Sequence, residues 1–193
     1  MQSGITRGMP ASVAGVTGTE PVPTAPSVSP ATRAWLAVPA LGAGLLHAAL
    51  ASGAPLAVAV GLAVVAAAEL GWAVATFLRD RPPFFRSVLW LALLPVAAWA
   101  ASATVGASSA GGTVVALQPL PLAVASVLDV AIAGTVAVVL RRGRPARDTG
   151  ALRFVVVLMV SACAVSAVTV PALGVTQAGG AALEVHLRHA GHH

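Results

Sequence analysis

Five long apolar runs follow one another along this chain, and the segments between them alternate between having no arginine and being crowded with it. The runs are 35–51, 55–78, 88–105, 120–140 and 154–173. Crossing a hydrocarbon core takes roughly 17–25 predominantly apolar residues, so each run is within spanning range. Arg7 and Arg33 precede the first run. Arg79, Arg81 and Arg86, against Asp80, fill the turn after the second. Arg141, Arg142, Arg144, Arg147 and Arg153, against Asp148, fill the segment after the fourth, and the two remaining connections carry no arginine. Basic loops are retained on the cytoplasmic side of a membrane. The pattern therefore predicts an all-α integral membrane bundle of about five transmembrane helices, with the N-terminus inside and the C-terminus outside. Trp35 and Trp90, each at the inner start of its run, fit the interfacial aromatic belt.

Composition excludes a water-soluble globule of this size. Only 9% of the 193 residues are charged and 58% are hydrophobic, whereas a soluble domain carries about 25% charge. The net charge of +5 comes wholly from arginine. Those arginines sit at the ends of apolar runs and not along one polar face, which argues for anionic lipids at the cytoplasmic face as partners and against nucleic acid. A chain rich in Ala, Val and Gly that uses arginine and no lysine suggests a high-GC bacterial genome, hence a bacterial plasma (inner) membrane location. Cys163 is the lone cysteine, so neither an intrachain disulfide nor a cysteine-based metal cluster forms.

Three regions result. Residues 1–33, rich in Pro, Ser, Thr and Gly, read as a disordered cytoplasmic tail. Residues 34–174 form the five-helix transmembrane domain, with Pro95 inside the third run. Residues 175–193 read as a flexible external tail containing histidine. The first run also admits a signal-peptide reading, with Arg33 before it and Ala49, Leu50 and Ala51 as a small-residue cleavage site; the long polar leader and His47 beside the cut argue against it. Gly42, Gly44 and Ala48 suit close helix–helix approach.

Three ionisable residues interrupt the apolar runs: His47, Glu69 and Asp129. Intramembrane charge is expensive, at about 3 kcal/mol on insertion scales, and such residues face the bundle interior. Counted from the outer ends of their own helices, Glu69 lies about 20 Å deep, Asp129 about 15 Å and His47 about 6–8 Å. That is a graded series along which a proton or cation could pass. No arginine lies deep in a run. The acids must therefore be protonated and hydrogen-bonded, paired with His47, neutralised by a cation, or engaged with another subunit. Trp72, three residues after Glu69, shares its face. Met159 and Cys163 place two soft sulfurs on one face, a pair that reads as helix core more readily than as a copper site. His186, His189, His192 and His193 make the tail a candidate ligand for Zn²⁺, Cu²⁺ or Ni²⁺, with a solvated end as the plain alternative. No other cofactor is implied. The chain lacks HExxH, GxSxG, the P-loop and CxxC patterns, so an enzyme is not expected.

GLLHAAL in the first run, AELGWAV in the second, WAASATVG closing the third and LDV in the fourth carry a resemblance to uncharacterised small polytopic membrane proteins of high-GC bacteria. It covers roughly residues 40–140. Those proteins more often carry Arg where Ala103 stands, a departure from any site shared there, and the resemblance implies a topology but no activity. Together these readings point to a multi-pass plasma-membrane protein acting as an accessory or structural component, alone or with other membrane subunits or copies of itself. The alternative is a small proton- or metal-cation transporter or channel-like protein that uses His47, Glu69 and Asp129 with the His tail as collector. In a Cys163→Ala background, Ala110→Cys and Ala190→Cys should both react with a membrane-impermeant maleimide on intact cells. Labelling of either one only after the cells are opened would reverse the threading.

Overall fold

A computed structural model describes residues 28–79, 82–108, 118–142 and 150–190. The described residues are all-helical: α1 (Pro30–Ala51), α2 (Leu56–Leu78), α3 (Phe85–Ser108), α4 (Pro119–Arg142), α5 (Ala151–Gly174) and α6 (Gln177–Ala190). Among them, α1, α2, α4 and α5 are long and apolar enough to cross a membrane, while α3 offers a shorter apolar stretch, Arg86–Ala101. Large apolar side chains cover the outside, Leu56, Leu152 and Trp90 among them. That is the surface a lipid solvent requires.

Helix α1 is the hub. It packs against α2, α4, α5 and α6, and α3 is held chiefly by α4. One core cluster joins Leu36, Ala37 and Ala40 of α1 to Ala73, Ala92, Ile132 and Val136. A second joins Ala43 and Leu46 to Ala125, Leu128 and Ala172. Early α1 thus meets late α4, and late α1 meets early α4 and the end of α5. The helices alternate in direction from α1 to α5, which gathers Arg33, Arg79, Arg86, Arg141, Arg142 and Arg153 at one end of the bundle. Of the other topology-determining arginines, Arg81, Arg144 and Arg147 lie outside the described residues.

Small residues let α1 sit this deep. A Cβ built on Gly42 would lie 2.6 Å from Val165 Cγ1 and 3.1 Å from Leu128 Cδ1; one on Gly44 would lie 2.8 Å from Leu70 Cγ. These two glycines, two residues apart, serve different neighbours: Gly42 admits α4 and α5, and Gly44 admits α2.

Two local readings change. The first helix begins at Pro30, inside the segment expected to be disordered, because Ser29 caps it: the Ser29 hydroxyl accepts the Thr32 amide at 3.2 Å, and proline suits the first turn. Residues 1–27 lie outside the described residues. The expected flexible tail is helical over Gln177–Ala190. Thr176 starts that helix; its hydroxyl donates to the Leu173 carbonyl at 2.7 Å and accepts the Gly179 amide at 3.1 Å. A Cβ on Gly179 would overlap the Leu173 carbonyl oxygen, so the turn from α5 into α6 needs glycine there.

Gly42→Leu should lower the thermal stability of the detergent-solubilised protein by about 1–3 kcal/mol, the cost of overpacking a close contact. Gly61→Leu, at a position with open space around it, should leave the melting temperature nearly unchanged or raise it.

Candidate functional site

His47, Glu69 and Asp129 come from three different helices and meet at one point. One potential ligand atom from each lies within 4.8 Å of the others. His47 Nδ1 and Glu69 Oε2 are 2.9 Å apart. Both His47 and Asp129 are 1% exposed, and the Glu69 side chain is 14% exposed. The site therefore lies inside the bundle, where residues of this kind were expected to point.

Helix packing explains why they converge. Gly44 faces Leu70 and the Ala66 carbonyl oxygen across the α1–α2 contact. His47 is three residues further along α1, so it falls on the same face and looks at α2. Counting on from that contact, Ala51 lies opposite residues near 60, and roughly the first turn of α2 projects past the end of α1. His47 is therefore deeper than its distance from the end of its own helix implies. The three groups form one compact cluster instead of a series at graded depth. Asp129 enters from α4 through the same packing that places Leu128 against Gly42.

The cluster is short of positive charge. His47, when protonated, neutralises one carboxylate. Glu69 Oε1 and both carboxylate oxygens of Asp129 are buried with no N–H or hydroxyl donor beside them, so the two acids have chiefly each other to face. Burying a second negative charge would cost several kcal/mol unless it is neutralised, so the site calls for another proton or cation. One imidazole nitrogen and two carboxylates form a borderline-to-hard donor set, suited to Zn²⁺, Mn²⁺ or a similar divalent ion with coordination positions to spare.

A cleft of about 680 Å³ reaches this cluster from the side. Glu69 and Asp129 lie on its lining, and Ala40 and Ile132 belong to its floor. Its walls are α2, from Val64 to Ala75, and the first half of α3. These two helices do not pack against each other along their length. They are pinned at one end, where the Trp72 indole N–H donates to the Pro83 carbonyl at 3.1 Å. Phe84, with φ of 55°, turns the chain there in the left-handed region that a bulky residue seldom adopts. Trp72 thus lines the cleft beside Glu69 as well as holding the turn.

Sequence spacing gave no sign of this cleft, because it depends on α2 and α3 parting after a tight Pro-Pro turn. The other candidates stand apart from it. His186 and His189 lie on the α6 backbone, and His192 and His193 fall outside the described residues. Met159 and Cys163 are exposed on the outer surface of α5 instead of forming core, which removes the expected packing role. No family model, curated protein or solved structure matches this chain, so the site is read from its own chemistry.

A double-mutant cycle tests the central contact. His47→Phe and Glu69→Gln should each lower the melting temperature in detergent. The double variant should lose less than the sum of the two, with an interaction of about 0.5–3 kcal/mol. Strict additivity would show that the two side chains do not interact.

Proposed function

We propose that this is a small plasma-membrane protein that binds an exchangeable cation, a proton or a divalent metal ion, at His47, Glu69 and Asp129, and passes it across the bilayer. The observation that carries this reading is Asp129: a carboxyl group 1% exposed, with no N–H or hydroxyl donor beside either oxygen, set within 4.8 Å of a second acid and a histidine. Two buried carboxyls facing one imidazole hold together only when a further proton or cation joins them, since an unneutralised buried acid is costly. That joining proton or cation is the exchangeable part of the site.

The threading proposed for this function has five spans, α3 being the remaining one, with the N-terminus and the arginine-rich end inside. Support comes from the six arginines gathered at one end of the bundle and from retention of basic loops in the cytoplasm. In this arrangement the α6 end faces outward. Its histidines, including His186 and His189, would gather metal ions near the entry side. A unit this small would work as an oligomer if it alternates access, because carriers of that type generally combine repeats. The competing reading is an accessory or structural component in which the His47–Glu69 pair only fastens α1 to α2.

Reconstitution separates the two. Proteoliposomes with the wild-type chain should take up protons or Zn²⁺ at least tenfold faster than those carrying Glu69→Gln together with Asp129→Asn. Both substitutions keep shape and hydrogen-bonding capacity, so the double variant should still fold. Equal flux in the two preparations would leave the accessory role in place of transport.

A further inference from the structure

The cleft is much larger than a proton or metal ion requires, and its walls have the wrong chemistry for a hydrated one. At about 680 Å³ it falls within the size range of sites that hold drug-sized organic molecules. Its walls are apolar: Val64, Val88, Leu91 and Leu94 line it, and Val64, Leu91 and Leu94 are more than half exposed on the outer surface. The charged groups on its lining are both acids, Glu69 and Asp129. An apolar mouth on the lipid-facing side, with two carboxyls and an indole on the lining, describes the complement of one kind of molecule.

We propose that the cleft between α2 and α3 admits an amphiphilic organic cation from the lipid, and that its charged head takes the place of the proton or metal ion held by Glu69 and Asp129. This rests on the cation-binding reading above and names the substrate class for the same site. Exchange for a proton replaces one positive charge with another; exchange for a divalent ion balances when one proton enters the cluster with the organic cation, so the two acids are never left unneutralised. The apolar body fills the space between Val64 and Leu91. Trp72 lines the cleft as well, and an aromatic ring beside a cation adds an attraction that strengthens where water is excluded. A neutral acyl chain would fill the same volume but bring no positive charge to the two acids. An anionic lipid would add a third negative charge at the base. Charge complementarity therefore selects the cationic occupant.

The test uses the purified full-length chain in nanodiscs, with tritiated tetraphenylphosphonium as the organic cation, Zn²⁺ as the inorganic one and triphenylphosphine oxide as a neutral probe of similar girth. Saturable tetraphenylphosphonium binding is expected, displaced by Zn²⁺ or by acid and not by triphenylphosphine oxide. Asp129→Asn should weaken it at least tenfold. Val64→Trp, which places a large ring on the cleft wall more than one helical turn from Glu69, should abolish tetraphenylphosphonium binding and spare Zn²⁺ binding. This second variant carries the test if Asp129→Asn does not fold. Tetraphenylphosphonium binding that is absent, equal in wild type and Asp129→Asn, or equally displaced by the neutral probe overturns the organic-cation inference. If Zn²⁺ binding or flux persists in that case, the cation-binding reading survives alone. Loss of both brings down the two together.

Discussion

Within hydrocarbon, helices gain nothing by hiding apolar side chains from one another, because lipid is just as apolar. What remains is close contact: van der Waals packing that improves as backbones approach, and the few polar bonds made between helices. Everything in this bundle depends on α1 achieving that contact on several sides at once. Gly42 lets Leu128 and Val165 press in from α4 and α5, and Gly44 does the same for Leu70 of α2. Alanines at 37, 40 and 43 continue the narrow stripe, and all three are buried. A larger residue at either glycine would separate helices whose alignment positions the charged cluster.

The cluster is a by-product of that alignment, yet it is also costly to maintain. His47 projects toward Glu69 because it follows Gly44 by three residues, and Asp129 follows Leu128, the residue that meets Gly42. Packing and charge placement therefore share the same few positions on α1 and α4. The bundle accepts buried carboxyl oxygens with no N–H or hydroxyl donor beside them at its centre, a cost that the surrounding close packing must offset. Such a balance is expected where a group must change partners during function.

Much of the architecture was legible in the chain. Apolar runs of spanning length, separated by arginine-rich and arginine-free segments, located α1 to α5 within a few residues, and the three intramembrane ionisable residues stood out against their surroundings. The errors have physical causes. Ser29 and Pro30 form a helix start that was hidden by the proline-rich leader. Thr176 opens α6 within the stretch that reads as a flexible tail, and Gly179 lets the helix start close against the Leu173 carbonyl. Depth along a helix was counted from each helix's own end, and the overhang of α2 past α1 defeated that count for His47. The cleft was beyond reach, because it reflects how α2 and α3 diverge from the turn fastened by Trp72 and Pro83, and residue spacing does not encode divergence.

The sideways opening of the cleft has a consequence for what reaches its base. A molecule that enters between α2 and α3 has already left water for the bilayer, so the membrane acts as the first filter and as a reservoir. Each buried methylene adds about 0.8 kcal/mol to that partitioning, so occupancy at a fixed aqueous dose should climb along a homologous series even when contacts with the protein stay the same. For the organic cation proposed above, selectivity would then be divided between two solvents: lipid would sort candidates by oiliness, and Glu69 and Asp129 would sort those that arrive by the sign of their charge.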